Sequence, residues 1–373
     1  MKILIITCKF GMGHYAAAKN LEEKILKSDL EADSTVVDFS QIVLGKTSRW
    51  FYTIYKAVVG KTSWLYNRVY KNALDSSGRV EKLLKAPEKY IVKKLDAEIM
   101  RQNPDVIIST YSLASHFLAE HKRTKRMQIP LVTCVTDLSA HNVWINEDTD
   151  YYLVATEQTK QELIQRGVNA KNIGVSGIPV SGKYEQGCAG TIELLSGEEK
   201  EVKELLLMGG GLGLLPTNME FYRELDRMQN THSTIICGEN KRLYRRLLKE
   251  NFANIDVLGF CNNVADYMQR ADVLISKPGG LTTFEAIHAE VPLLSFAPYL
   301  QQEKTNATYI ATQKMGCILP KKTEDILTAV EEVAQNGELL QSYRLNMRQT
   351  KEYLAKAALV EFLQNAERRV CIS

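Results

Sequence analysis

The sequence has no apolar run long enough to span a bilayer, and this bounds the class of protein. A membrane-spanning helix needs about 18 to 20 consecutive apolar residues, and no stretch of the 373 residues approaches that length. The chain opens Met1-Lys2 and reaches Cys8 after five apolar-leaning residues, so we expect no signal peptide. Hydrophobic and charged contents of 45% and 24% are ordinary for a globular protein, and the length favours two domains.

Clustered cysteines are also missing. The seven cysteines are scattered, odd in number and include no Cys-x-x-Cys pair. Zinc sites and disulfide frameworks use cysteines at recurring short spacings, so the sequence predicts a reducing compartment with neither. No HExxH, P-loop or GxSxG pattern occurs, and the single DxD, Asp148–Asp150, precedes a predicted strand and is not interpreted as a metal site.

Acidic residues are missing from residues 39–74, a stretch rich in basic and aromatic side chains. It holds six Lys or Arg and eight aromatic residues, and residues 40–101 carry a net charge of +8 against −5 for the rest of the chain. Trp and Tyr favour the headgroup region of a membrane, and Lys and Arg are attracted to anionic lipid. Nucleic-acid binding and burial of some aromatics in the core are the alternatives. The candidate membrane residues are Trp50, Phe51, Tyr55, Lys56, Trp64 and Arg68.

Short apolar runs alternate with helical segments along almost the whole chain, from KILIIT at the start to VPLLSF in the second half. This alternation predicts parallel sheets with crossover helices. The Gly-rich and charged segment 182–200 is the expected boundary. We therefore predict an α/β protein with two doubly wound Rossmann-like domains facing a cleft. The domains are 1–185 and 200–350, and 351–373 is a C-terminal helix that packs back on the first domain.

Three motifs in the second half follow predicted strands. Ser276–Ala286, SKPGGLTTFEA, opens a helix whose free N–H groups favour an anion. Glu285 lies one turn into that helix, where its two oxygens can accept both hydroxyls of a ribose. Gly209–Gly213 contains four glycines, for which a flexible loop over a phosphate is the natural use. Gln302 and Glu303 open the helix after VPLLSF and suit the vicinal hydroxyls of a sugar.

With these motifs the chain resembles the family of monogalactosyldiacylglycerol synthases and bacterial processive diacylglycerol glucosyltransferases. These are GT-B glycosyltransferases, and peptidoglycan N-acetylglucosaminyltransferase is a more distant relative. The resemblance covers most of the chain. The matching stretches are GMGH near the start, GIPV at Gly177–Val180, GF at Gly259–Phe260, SKPGGLTTFEA, and QExxNA at Gln302–Ala307.

The resemblance implies a metal-independent, inverting transfer of glucose or galactose from a UDP-sugar to diacylglycerol. It implies no cofactor, no nucleic-acid partner, and a peripheral position on an anionic membrane surface at the cytoplasmic face. It places Phe260 beside the uracil and the diphosphate at Gly279–Thr283. The candidate donor-binding residues are Gly209, Gly210, Gly211, Gly213, Phe260, Ser276, Lys277, Gly279, Gly280, Thr282, Thr283, Glu285, Gln302 and Glu303.

The candidate catalytic residues are in the first half. His14 lies at a helix N-terminus, where the helix dipole keeps the ring neutral, as a general base requires. The alternative for His14 is a helix cap. Asp137 ends a predicted strand and is either the base itself or the group that orients His14. The candidate acceptor-binding residues are Gly13, His141 and Trp144, with a core position as the alternative for Trp144.

Other functions stay open. The segment from Gly11 to Ala16 fits the G-x-G-x-x-A dinucleotide fingerprint, and Asp38 ends the second strand, so an NAD(P)-linked oxidoreductase is one alternative. A UDP-sugar epimerase, a transferase to another lipid acceptor, and a non-catalytic membrane-binding or partner-binding module are the others.

Overall fold

The computed structural model describes residues 1–9, 12–48, 79–185, 201–298, 300–354 and 359–364. The chain divides into two compact units. One unit comprises Met1–Val180 with Leu354–Ser373, and the other comprises Ser181–Tyr353. The six candidate membrane residues lie outside the described residues. No helix among the described residues is long and apolar enough to cross a membrane.

The N-terminal unit contains a parallel sheet of six strands among the described residues. They are β1 (Lys2–Thr7), β2 (Asp33–Asp38), β3 (Val106–Ser109), β4 (Leu131–Cys134), β5 (Tyr151–Val154) and β6 (Ile173–Val175). Their order in the sheet is β2-β1-β3-β4-β5-β6. The order reverses beside β1, and open α/β sheets bind ligands at the carboxyl ends of the strands at such a switch point.

Helices cover both faces of this sheet. They are α1 (Met12–Leu26), α2 (Phe39–Leu44), α3 (Arg79–Gln102), α4 (Ser112–Lys125) and α5 (Glu157–Gln165). Successive side chains of a strand point to opposite faces. Ile3 and Ile5 therefore pack with α1, while Leu4 and Ile6 pack with α3 and α4. Burial on both sides is why KILIIT is almost continuously apolar.

The described residues near the C-terminus pack on the N-terminal unit. Leu359 and Leu363 belong to the same buried cluster as Ile3 and Ile5. The ring of Phe362 stacks on Tyr151 with a centroid separation of 4.5 Å.

The C-terminal unit repeats the plan. Its strands are β7 (Lys203–Met208), β8 (Thr231–Ile236), β9 (Ile255–Leu258), β10 (Val273–Ser276), β11 (Leu293–Ser295) and β12 (Gly316–Ile318), in the order β12-β11-β10-β7-β8-β9. The helices are α6 (Met219–Asp226), α7 (Lys241–Leu247), α8 (Val264–Arg270), α9 (Gly280–His288), α10 (Gln301–Thr312), α11 (Thr323–Ala334) and α12 (Gly337–Leu354). The switch point lies between β7 and β10. Two parallel sheets with helices confirm the predicted α/β class.

Candidate active site

His14 in the N-terminal unit is surrounded by side chains that follow the ends of β3 and β4. It lies in the first turn of α1, directly after β1, and its Nδ1 is 2.6 Å from Oγ1 of Thr136, which follows β4. The ring of Tyr111, after β3, packs edge-on at 5.4 Å, and the ring of Trp144 lies at 6.2 Å. The imidazole is therefore held by one hydrogen bond and two aromatic rings.

Burial lowers the pKa of His14 below its usual value, while the charge of Asp137 and a hydrogen bond with the backbone of Thr110 act in the opposite direction. Loss of hydration disfavours the imidazolium form. The ring is therefore neutral near pH 7, as a general base requires. The sequence prediction attributed this state to the helix dipole, but the main cause in the structure is burial.

Trp144 belongs to the core. Its side chain is 1% exposed and packs in a buried cluster that includes Val135 and Ala140. Its indole Nε1 donates a hydrogen bond of 2.8 Å to Oδ2 of Asp137. A buried indole N–H needs such a partner. The ring has almost no free surface, which supports the core position given as the alternative for Trp144, and its indole N–H holds Asp137.

The other two acceptor candidates differ in accessibility. His141 is 8% exposed, and its Nε2 lies 3.1 Å from Oγ of Ser139. Little of its side chain is therefore accessible for the predicted direct contact with an acceptor. Burial also lowers the pKa of His141. A Cβ added at Gly13 would meet nothing within 4 Å, which leaves the backbone there open to a ligand. The acceptor contact at Gly13 stays a prediction.

Two acidic residues of alternative motifs have structural roles. Asp38 is buried at the N-cap of α2 and accepts hydrogen bonds from the N–H and hydroxyl of Ser40. Its carboxylate is thus already hydrogen-bonded within the protein, at the position where it would have to bind the ribose of a dinucleotide. Asp150 of the DxD accepts a hydrogen bond from the N–H of Leu131 and pairs with Lys122, so it supports the start of β4.

In the C-terminal unit, the glycines after β7 form a tight turn. The N–H of Gly213 donates to the carbonyl of Gly210 at 2.9 Å, and Leu214 donates to Gly209 at 3.0 Å. A Cβ at Gly209 would lie 2.3 Å from the nitrogen of Leu214, and one at Gly213 would lie 1.8 Å from the carbonyl oxygen of Cys237. Gly209 and Gly213 are therefore required by backbone packing in a hydrogen-bonded turn, and their predicted contact with a phosphate stays a prediction.

Side chains of β10 and α10 hold the end of β10 and the turn that follows it. Ser276 is fully buried and its hydroxyl donates to the carbonyl of Met208 at 2.7 Å, so the predicted donor contact of Ser276 is replaced by a link between β10 and β7. Asn306, which belongs to the QExxNA motif, donates to the carbonyl of Pro278 at 2.8 Å. Sequence reasoning missed this role of Asn306, although the motif contained it.

Lys277 and Glu303 form an ion pair beside this turn. The Nζ of Lys277 lies 3.1 Å from Oε1 of Glu303, which is buried, while Lys277 is partly exposed. A Cβ at Gly210 would lie 3.0 Å from Cε of Lys277. The absence of a side chain at Gly210 thus gives the lysine stem room. The pair links the turn after β10 to the start of α10.

Helix α9 begins at this site. Gly279 is its N-cap residue in an extended conformation and has no side chain to cap the first turn. The N–H of Thr283 donates to the carbonyl of Gly279, and the Thr283 side chain is fully buried. The predicted diphosphate contact through Thr283 is therefore not supported. The candidates that remain are the N–H groups of residues 280–282 and the hydroxyl of Thr282, at the positive end of the helix dipole.

Glu285 lies further along α9 and is half-buried. Burial raises its pKa to about 7, and a hydrogen bond from Tyr184 acts in the opposite direction. Tyr184 lies on the short 3-10 helix Gly182–Glu185, which contacts α9, and its ring is buried. Sequence reasoning missed Tyr184. Its only signal is its position just after the GIPV stretch.

The remaining donor candidates are accessible to different degrees. Phe260, after the carboxyl end of β9, is 60% exposed. An exposed ring at a strand end is what stacking on a base requires. Gln302 is half-buried in the first turn of α10. Their contacts with uracil and sugar stay predictions. Among the described residues, no group of three or more His, Cys, Asp or Glu side chains is placed to hold a metal ion.

Two family models match the chain, one in each unit. The model described as Monogalactosyldiacylglycerol (MGDG) synthase matches residues 14–180, and the model described as Glycosyltransferase family 28 C-terminal domain matches residues 205–361. A protein of Bacillus pumilus (strain SAFR-032) named processive diacylglycerol beta-glucosyltransferase is 29% identical over 364 residues. That alignment covers 93% of this chain and 90% of the relative.

Solved structures share the fold. MurG of Acinetobacter baumannii has a TM-score of 0.61 at 14% identity, covering 94% of this chain and 95% of that one. UGT2 of Phytolacca americana, complexed with UDP-2fluoro-glucose and pterostilbene, has a TM-score of 0.63 at 12% identity, covering 98% and 99%. At these identities the likeness shows the fold alone, and it confirms the predicted GT-B architecture.

Proposed function

We propose that the chain is a member of the family of monogalactosyldiacylglycerol synthases and processive diacylglycerol glucosyltransferases, and that it transfers a hexose from a UDP-sugar to diacylglycerol. The observation that carries the proposal is the pairing of two sites on one chain. A neutral histidine lies at one switch point, and a glycine turn, a helix start and the carboxyl group of Glu285, the proposed ribose ligand, lie at the other.

We propose UDP-glucose as the donor, with UDP-galactose as the alternative. The relative of Bacillus pumilus is named a beta-glucosyltransferase, whereas the model matching residues 14–180 is named for a galactolipid synthase. The two sugars differ at one axial hydroxyl. In the proposed site Glu303 and Gln302 face the sugar, and the pairing of Glu303 with Lys277 fixes the carboxylate that would read such a hydroxyl.

The proposed reaction is a single displacement at the anomeric carbon. The free hydroxyl oxygen of diacylglycerol attacks this carbon, the bond to the UDP oxygen breaks, and the hydroxyl proton moves to His14. An α-linked donor then gives a β-linked product. The departing UDP is stabilised by the N–H groups of residues 280–282 and by the ammonium of Lys277. We propose that these groups do this without a metal ion, which predicts full turnover in the presence of EDTA.

We propose that the protein works at the cytoplasmic face of a membrane as a peripheral protein, because diacylglycerol stays in the bilayer. The described part of α3 extends the basic character of residues 39–74. Lys89, Tyr90, Lys93 and Lys94 are exposed on it, and Nζ of Lys94 lies 5.5 Å from the centroid of the Tyr90 ring. Binding to vesicles with anionic lipid but not to neutral vesicles supports this position, and equal binding to both contradicts it.

One assay tests the function. UDP-glucose, UDP-galactose and UDP-N-acetylglucosamine are each incubated with and without diacylglycerol micelles, and UDP release and glycolipid are measured. The proposal predicts glycolipid and UDP in equal amounts, only when diacylglycerol is present. Conversion of the donor without lipid indicates the epimerase alternative. Binding of NADH without binding of UDP indicates the oxidoreductase, although the engaged carboxylate of Asp38 argues against it.

A further inference from the structure

We infer that Thr136 is the positioning residue that holds the proton of His14 on Nδ1 and so presents an unprotonated Nε2 to the acceptor hydroxyl. This inference rests on the proposed function, in which His14 is the base. Sequence reasoning considered only Asp137 for the orienting role. The geometry assigns that role to a neutral hydroxyl in place of a carboxylate.

The contact between Thr136 and His14 is short and firmly supported. Oγ1 of Thr136 lies 2.6 Å from Nδ1 of His14, and the Thr136 side chain is buried. The preceding residue, Val135, donates its N–H to the carbonyl of Leu153 at 2.8 Å, which ties this strand end to β5. The rings of Tyr111 and Trp144 limit rotation of the imidazole. The hydroxyl is thus fixed where Nδ1 must point.

Asp137 is held in a different way. Its Oδ2 accepts the indole N–H of Trp144 at 2.8 Å, and its influence on His14 is through charge. A carboxylate bonded directly to the ring would favour the imidazolium form at rest, whereas a hydroxyl leaves the ring neutral. The negative charge nearby still stabilises the imidazolium that forms during the reaction. The two residues therefore divide orientation and charge stabilisation between them.

The positions of the protons before and during the reaction follow from this assignment. The inferred resting state has the ring proton on Nδ1, facing Oγ1 of Thr136, and the lone pair on Nε2; the backbone of Thr110 is a further hydrogen-bond partner of the ring. As the acceptor oxygen bonds to the anomeric carbon, its proton moves to Nε2 and UDP leaves with the electron pair of the broken bond. The opposite tautomer, in which the Thr136 hydroxyl donates to Nδ1, would place a hydrogen on Nε2 and prevent this step.

The direct test is the tautomer of His14 in the full-length protein. The chain has six histidines, so a sample with ¹⁵N-labelled histidine gives a spectrum that can be assigned with His14→Gln. We expect a protonated Nδ1 and an unprotonated Nε2 in the wild type at pH 8, and loss of this preference in Thr136→Val. A protonated Nε2 in the wild type overturns the inference, whether or not the protein makes glycolipid.

Kinetics supply the second test. We expect Thr136→Val to lower kcat about 10- to 100-fold with little change in the KM for UDP-glucose, a part of what a general base contributes. Thr136→Ser keeps the hydroxyl and should recover most of kcat. The matched control is Thr149→Val, another buried threonine of the same unit whose hydroxyl lies near Thr133.

The outcomes separate this inference from the proposed function. Equal kcat for Thr136→Val and the wild type overturns the role of Thr136 while glycolipid synthesis stands. A wild type that makes no glycolipid removes the proposed function, and the tautomer spectrum then still reports whether Thr136 sets the proton position. Equal losses in Thr136→Val and Thr149→Val indicate a general packing defect and contradict a specific role.

Discussion

The two units use the same sheet plan but build their sites from different parts of the chain. In the N-terminal unit the site around His14 is made of side chains: a hydroxyl, two aromatic rings and a carboxylate held by an indole. In the C-terminal unit it is made largely of backbone: a glycine turn and an uncapped helix start. A base needs a controlled protonation state, which burial and side chains provide. A departing diphosphate needs several N–H donors, which backbone provides.

The largest expected effect separates chemistry from binding. His14→Ala should reduce kcat by about 10²- to 10⁴-fold, because general base catalysis contributes that much. Its affinity for UDP should be unchanged, since the donor residues lie in the other unit. Glycolipid formation and UDP titration calorimetry measure the two quantities. Full turnover in this variant would remove His14 from the mechanism. It would also contradict the assignment of the base to the N-terminal unit and of UDP binding to the C-terminal unit.

A glycine pair tests whether backbone packing matters more in the C-terminal unit. Gly213→Ala forces a Cβ to 1.8 Å from the carbonyl oxygen of Cys237 at a φ of +64°. The left-handed conformation alone costs about 1 to 2 kcal/mol for a residue with a side chain, so we expect a loss of roughly 3 kcal/mol or more once the clash is included.

Gly13→Ala is the matched control for this change. A Cβ at Gly13 meets nothing within 4 Å, and the residue lies in α1, where Ala is favoured over Gly by about 1 kcal/mol. Urea denaturation should therefore show strong destabilisation for Gly213→Ala and none for Gly13→Ala. Equal stability of the two variants would contradict the tight turn in the C-terminal unit.

The protonation state of Glu285 predicts how the affinity of the C-terminal unit for UDP depends on pH. Burial raises its pKa to about 7 from an ordinary value of 4.5. In the proposed site only an ionised carboxylate can accept both ribose hydroxyls, so UDP affinity should rise about tenfold from pH 6 to pH 8, in line with the ionised fraction. Glu285→Gln should lose this difference. A variant with the wild-type pH dependence would show that another group is responsible.

The same shift predicts a trend in stability. Between pH 4.5 and 7 the native state keeps a proton that the unfolded chain has released. The free energy of unfolding should therefore fall as pH rises through this window, compared with Glu285→Gln at the same pH. Urea titrations of both proteins measure the difference.

The smallest expected effect concerns the support of Asp137. Trp144→Phe keeps a buried ring but removes the N–H that donates to Oδ2 of Asp137. We expect the free energy of unfolding to fall by about 1.5 to 3 kcal/mol, as for other hydrogen bonds to charged groups. The effect on kcat should be smaller than that of Thr136→Val, because Asp137 acts on His14 through charge. A larger loss of kcat would indicate that Asp137 is the base.

Much of the fold was predictable, and the site was predictable in part. The alternation of apolar runs with helical segments indicated parallel sheets, because a strand buried on both faces must be apolar throughout. The motifs also marked the strand ends at His14, Asp137 and SKPGG. Burial was not predictable for Ser276 and Thr283, which occupy motif positions but face the interior.

The sequence by itself determined the α/β class and the placement of polar motifs after apolar runs, since these follow from local patterns. Only the tertiary structure decided which of those residues have free surface and which partner holds each. His14 and Thr136 are 122 positions apart, and no local sequence pattern connects them. Their side chains nevertheless meet, with Nδ1 of His14 2.6 Å from Oγ1 of Thr136. The strand order β1-β3-β4 brings them together, and that order is a property of the folded sheet.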